Sequence, residues 1–215
     1  MRPHPERARI LHGEGVDLAH FVYTALPDKP EFTFVLIGRL LWDKGVGEYV
    51  EAARRLRAQY PHARFQLLGP VGVANPSAIT QEDVDGWQRE GVIEYLGEAH
   101  DVRPHIANAD CVVLPSYREG VPRTLMEASA MGRPIVATDV PGCREVVADG
   151  VTGLLCEAKS ADSLAAKLAQ MLDMSSEARR TMGQHGRHKV AAEFDEAAVV
   201  ERYKDTLRTW AGATL

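Results

Sequence analysis

What is scarce in this 215-residue chain narrows its class before any motif is read. No uninterrupted apolar run reaches about 18 residues, so no stretch reads as a membrane-spanning helix. Cysteine is limited to Cys111, Cys143 and Cys156, an odd number with no C-x-x-C. That usage suits reduced thiols in a cytoplasmic protein and excludes a disulfide framework. Positive charge is not in excess. The net charge of −5 argues against a general nucleic-acid binder, because phosphate backbones demand a basic surface. One nucleotide needs only a local basic spot. Met1 to Arg9 (MRPHPERAR) is basic but has no apolar centre, so it does not read as a secretory leader. There is no internal repeat and no low-complexity tract. His100 and His105 lack metal-ligand spacing to other candidates, and no metal site is expected.

What is present is ordinary globular sequence organised around Leu114 to Thr138. Cys111 to Leu114 (CVVL) is a short apolar run of the kind found in buried parallel strands. Pro115 ends it, and Ser116 to Val121 reads as loop. Pro122 fits the first helical position, where its missing N–H costs nothing. A helix is predicted over Arg123 to Met131, stopped by Gly132 and Pro134, with a strand over Pro134 to Thr138. The loop therefore sits at the carboxyl end of a strand, where open α/β sheets bind ligands. The helix start offers unpaired N–H groups at about Arg123, Thr124 and Leu125, a ready anion site. Glu119 in the loop and Glu127 in the helix flank it. Each carboxylate is an acceptor suited to vicinal hydroxyls of a sugar or ribose. The bland alternative is that both simply face water.

The same pattern recurs along the chain. Phe32 to Ile37 (FTFVLI) reads as a strand, followed by Gly38-Arg39…Lys44-Gly45 and a helix from Val46 to Tyr60. Arg39 and Lys44 stand at a strand end, where a fork and a point charge can together neutralise an anion; otherwise they are surface charges. Arg64 to Leu68 is the second strand. Gly69-Pro70-Val71-Gly72 lacks the third glycine of a dinucleotide fingerprint and no helix follows directly, so that reading is rejected. Gln81 to Glu90 is a helix, Val92 to Tyr95 a strand and Val102 to Asn108 a short helix. Cys143 to Ala148 is a short helix and Leu154 to Cys156 the last strand. Helices follow at Ala161 to Leu172, Ser175 to Phe194 and, after Asp195 as N-cap, Glu196 to Trp210. Six strand–helix units imply one α/β domain, a Rossmann-like parallel sheet with helices on both faces.

Glu119-x7-Glu127, followed by Ala-Met-Gly-x-Pro-Ile-Val-Ala-Thr and Gly142-Cys-Arg-Glu145-Val, resembles the signature of retaining glycosyltransferase family 4. The resemblance runs from Gly13 to about Tyr203 and implies the C-terminal, donor-binding half of a GT-B fold. It also implies roles. Arg39, Lys44 and the amides of Thr124 and Leu125 would hold the donor diphosphate, and Glu127 the ribose hydroxyls. Glu119 with the amides of Gly120 and Val121 would hold the sugar and stabilise an oxocarbenium-like transition state. His12-Gly13-Glu14-Gly15 resembles the Gly-rich loop that opens this half, with Gly15 near the ligand; a plain turn is the alternative. Leu96 to Val102 resembles the segment beside the nucleobase. The donor implied is a nucleotide-sugar, UDP-linked by likeness to polysaccharide-building members, with no metal and no cofactor.

The expected organisation is an N-terminal segment over 1–30, the nucleotide-sugar domain over 31–194, and a last helix over 195–215 that would cross to an absent N-terminal domain. That absent half would bind the glycan or lipid-linked acceptor, and the whole enzyme would work in the cytoplasm or at the inner membrane face. The rival readings are a stand-alone sugar-nucleotide-binding module without chemistry, and a GT-B epimerase or phosphorylase.

Overall fold

The computed structural model describes residues 14–211. Ile10 to Gly13, the front of the Gly-rich run, lie outside them. Six parallel strands form one sheet in the order β3-β2-β1-β4-β5-β6. They are β1 (Phe32–Ile37), β2 (Ala63–Leu68), β3 (Glu94–Tyr95), β4 (Cys111–Leu114), β5 (Ile135–Thr138) and β6 (Gly153–Cys156). Between them run α1 (Val46–Leu56), α2 (Gln81–Glu90), α3 (Arg103–Asn108), α4 (Arg123–Ala130) and α5 (Pro141–Val146). The chain then adds α6 (Ala161–Asp173), α7 (Ser176–Glu193) and α8 (Glu196–Ala211).

Strand β1 shows why the sheet is covered on both faces. All six of its residues are buried. Phe34 and Leu36 point into a cluster with Tyr49 and Val50 of α1 and Leu164 and Leu168 of α6. Val35 and Ile37 point the other way, toward Leu125 and Met126 of α4 and Val190 of α7. A continuous apolar run suits a strand buried on both sides, and the period-2 alternation sends its side chains into two separate layers.

Most boundaries differ from the sequence reading by a residue or two, and four of the differences matter here. Helix α1 ends at Leu56 rather than Tyr60, with 57–59 continuing as a turn and Pro61 keeping Tyr60 out of the helix. Strand β3 pairs only at Glu94 and Tyr95, while Val92 and Ile93 are buried ahead of the ladder. Pro122 is the N-cap of α4, with ψ of 118°, rather than its first helical residue. Helix α5 begins at Pro141, two residues before Cys143, since proline is tolerated in a first turn.

The segment from Glu14 to Pro30 is fastened to this body. Val16 and Phe21 are buried. Arg187 donates to the Phe21 carbonyl at 2.9 Å and to the Ala130 carbonyl at 2.5 Å. The buried Arg133 donates to the carbonyls of Thr24 and Ala25 at 2.6 and 2.9 Å. Burial pulls the Arg133 guanidinium down to about 10. Asp195 caps α8 through the Ala197 N–H at 3.1 Å, as its sequence position suggests. In α8, Val199 is buried, whereas Val200, Tyr203 and Leu207 are exposed. Among the described residues, no helix is long and apolar enough to cross a membrane.

Candidate functional site

The strand order reverses between β1 and β4, and that is where a doubly wound sheet opens a crevice at its carboxyl edge. The chain leaves β1 through Gly38-Arg39 and leaves β4 through the loop from Pro115 to Pro122. A cavity of about 190 Å³ lies between these exits, lined by Gly38, Arg39, Lys44, Glu119, Pro122 and Thr124 among others. The topology thus brings together charged groups from two distant motifs.

Lys44 ends a single 3-10 turn, Trp42–Lys44, that Gly45 closes in the left-handed region. A Cβ at Gly45 would stand 2.1 Å from the Pro115 carbonyl oxygen, so this turn and the β4 loop touch backbone to backbone. The contact delivers Lys44 to the loop. Its Nζ donates to Glu119 Oε1 at 2.6 Å, with both side chains largely shielded at 26% and 11% exposure. Arg39 lines the same cavity and has no ion-pair or hydrogen-bond partner among the described residues. A guanidinium fork without a partner, beside a strand-end cavity, is available to an anion.

The β4 loop is clamped from below. Thr138 Oγ1 of β5 donates to the Ser116 carbonyl at 2.5 Å. Gly142 lies so close under the loop that a Cβ would fall 1.2 Å from the Gly120 carbonyl oxygen. This explains a glycine at the head of the Gly142-Cys-Arg-Glu145 run: no side chain fits there. The Gly120 and Val121 backbone is thereby held over the start of α5.

Helix α4 starts at the cavity wall. The N–H groups of Arg123 and Thr124 make no hydrogen bond among the described residues, as expected for a helix start. Leu125 corrects the expectation. Its N–H donates to the Pro122 carbonyl at 3.1 Å and its side chain is fully buried, so it is not a free anion donor. The proline cap supplies the acceptor that closes this first turn.

Glu127 faces a second cavity of about 190 Å³, shared with Gly15, His20, Arg123 and Glu196. Arg123 lines both cavities, so they meet across the first turn of α4. The Glu127 side chain is only 14% exposed, and Arg123 Nε lies 3.9 Å from its Oε1. Burial raises the Glu127 pKa, with the positive charges of Arg123 and His20 pulling it back. A partly buried carboxylate with its acceptor sites unfilled is a receptor for hydroxyl donors.

Arg39, Lys44, Glu119 and Thr124 therefore share one cavity, and Gly15 and Glu127 share the next. A larger hollow of about 490 Å³ lies at the opposite, amino ends of β2 and β3, against Ala63 and Glu94. It is a groove at the sheet edge, and the carboxyl-end loops do not converge on it. His20 joined the second cavity without a sequence signal pointing to it, whereas Glu14 belongs to the Gly-rich run and Arg123 to the helix start. The aromatic Tyr117 in a strand-end loop is a signal of the kind that marks binding loops.

Comparison with known proteins gives the family and the fold. The family model described as "Glycosyl transferases group 1" matches residues 31–174. The N,N'-diacetylbacillosaminyl-diphospho-undecaprenol alpha-1,3-N-acetylgalactosaminyltransferase of Campylobacter jejuni is 34% identical over 169 residues, covering 79% of this chain and 42% of that protein. Sucrose-phosphate synthase from Thermosynechococcus elongatus superposes with a TM-score of 0.80 at 26% identity, over 93% of this chain and 52% of that one. The Anabaena protein HepE, solved in complex with UDP, has a TM-score of 0.79 at 20% identity, over 91% and 56% of the two chains. The chain thus spans about half the length of the proteins it matches.

Proposed function

The chain belongs to the group 1 glycosyl transferases, and from that premise we propose that it forms the nucleotide-sugar half of a retaining, metal-independent enzyme, with a UDP-sugar as donor. The observation that carries the reading is the convergence of Arg39, Lys44 and the free N–H groups of α4 on one cavity, with Glu127 around the corner. In this assignment the diphosphate occupies the first cavity. Arg39, Lys44 and the Thr124 N–H neutralise it, and cationic side chains with a helix end do the work a divalent ion does elsewhere. Ribose hydroxyls donate to Glu127. The sugar lies against Glu119 and the Gly120 and Val121 amides.

The chemistry follows from that placement. The bond from the anomeric carbon to the diphosphate breaks, its electron pair leaves with the phosphate oxygen, and positive charge grows on the sugar. Arg39 and Lys44 stabilise the departing oxygen, while Glu119 faces the growing positive charge. The acceptor hydroxyl attacks from the leaving-group side and passes its proton to the departing phosphate oxygen, which retains configuration without a separate protein nucleophile. The names of relatives support an acceptor that is a lipid-linked or polysaccharide glycan. One is a transferase named for a diphospho-undecaprenol glycan, and another belongs to capsular polysaccharide biosynthesis. The three buried free thiols support a cytoplasmic setting.

The deciding experiment is a calorimetric titration of this chain with UDP, GDP and ADP in EDTA. Saturable binding of UDP alone is the expected result. A tighter complex with GDP or ADP would reassign the base. Binding that appears only on adding a divalent metal would overturn the metal-independent reading, and no binding at all would overturn the assignment of the donor site to this chain.

A further inference from the structure

Tyr117 takes no part in the ligand contacts assigned above, yet it is the most connected residue of the β4 loop. Its N–H donates to the Asp43 carbonyl at 2.9 Å, one residue before Lys44. Its hydroxyl donates to Glu48 Oε1 at 2.6 Å, at the start of α1. Lys159 Nζ lies 5.0 Å from its ring centroid, in cation–π range. Together with the Gly45–Pro115 backbone contact, these bonds join the two loops on both sides of Lys44. Lys159 itself holds a φ of +61°, the only left-handed residue besides glycines among the described ones. Such strain persists where surroundings enforce it and concentrates near functional sites.

The partner at the far end is unusual. Glu48 Oε2 is buried and has no hydrogen-bond partner among the described residues. A buried carboxylate oxygen left unpaired is costly in a fold that could have used an apolar residue. Glu48 is therefore hard to explain by stability alone, while its other oxygen anchors the Tyr117 hydroxyl.

We propose that Tyr117 is a positioning residue of the donor site, locking the Lys44 turn to the Glu119 loop so that both reach one diphosphate-sugar. The inference rests on the donor-site reading above. Burial and the neighbouring Glu48 carboxylate push the Tyr117 hydroxyl up to about 12, so it stays protonated and donating throughout the neutral range.

The test is calorimetry of this chain with UDP and uridine, or with the diphosphate and nucleoside of whichever base it prefers. Tyr117→Phe keeps the ring and removes only the hydroxyl. The expected result is about tenfold weaker UDP binding, with uridine binding changed less than about twofold. In a Lys44→Ala background the same substitution is expected to cost nothing more, because it acts through Lys44. Glu48→Ala should reproduce the loss, and Glu48→Gln, which keeps an acceptor, should restore it. Should Tyr117→Phe fail to fold, the two Glu48 variants carry the same comparison. An equal loss for UDP and uridine, an undiminished loss in the Lys44→Ala background, or unchanged UDP affinity would each overturn the positioning role. If the unaltered chain binds UDP and Lys44→Ala weakens it while Tyr117→Phe does not, only this inference fails. If the unaltered chain binds no diphosphate, the donor-site reading and this inference fail together.

Discussion

The Lys44–Glu119 pair makes a prediction that neither residue makes alone. The two side chains meet at 2.6 Å, so an incoming diphosphate must share Lys44 with a carboxylate of its own sign. Replacing Glu119 by Gln removes that competitor and nearly preserves shape. An effective dielectric of about 20 would set the bare attraction at 4 Å near 4 kcal/mol. Measured couplings of partly exposed pairs run about 0.2–1 kcal/mol. With Lys44 still 26% exposed, the lower range governs. We therefore expect a net gain of about 1 kcal/mol, or about fivefold tighter binding of UDP. The UDP-sugar should behave oppositely. Its extra affinity over UDP comes, in this reading, from the Glu119 end of the cavity, and Glu119→Gln should erase most of it. Calorimetry of the native chain and of Glu119→Gln with UDP and with the UDP-sugar reads the two effects separately. Weaker UDP binding in Glu119→Gln would refute the reasoning, since it would mean that Glu119 serves the diphosphate by orienting Lys44 rather than competing for it.

Other consequences are as direct. Replacing both Arg39 and Lys44 by Ala should cost UDP about a hundredfold or more, at about 1.5–3 kcal/mol for each charged hydrogen bond lost, and leave uridine nearly unaffected; equal losses would sink the diphosphate assignment. Burial holds the Glu127 proton more tightly in the fold than its ordinary 4.5. Ionisation of Glu127 thus costs stability as pH rises through that raised value, while hydroxyl binding needs the ionised form and weakens as pH falls through it. Uridine affinity of the native chain should therefore drop on acidification at a pH above 4.5, and Glu127→Gln should be weak and lack that step; identical pH profiles would exclude the ribose role. Gly142→Ala must push the Gly120 carbonyl away from a Cβ that would lie 1.2 Å from it. A cost of about 1–3 kcal/mol is expected, seen as a lower melting temperature and a larger loss of UDP-sugar than of uridine affinity; an unchanged melting curve and unchanged binding would show that the loop is free to move.

The fold was legible wherever one physical signal dominated. The run FTFVLI reads as a strand, and the Val46–Leu56 stripe as a helix, and the structure buries both as those readings require. The order of strands and helices then fixed a parallel sheet, because short crossovers of one hand leave few arrangements. Boundaries were less legible, since a helix end depends on competing local partners. Pro122 closes the first turn of α4 with its carbonyl and so consumes the Leu125 N–H, which no residue pattern announces.

The residue types and spacings alone determined the chemical inventory: two carboxylates eight positions apart, an Arg and a Lys after a strand, and a helix start between them. Tertiary structure decided which of these meet. Lys44 and Glu119 are 75 residues apart and touch because the sheet order places β1 beside β4. The clamps that aim them are also nonlocal: Gly45 against Pro115, Gly142 under Gly120, Thr138 on Ser116, and Tyr117 reaching Glu48. A side chain's chemistry is local and can be read from one position. Its direction is set by whatever backbone the fold lays against it, and that appears only once the layers have packed.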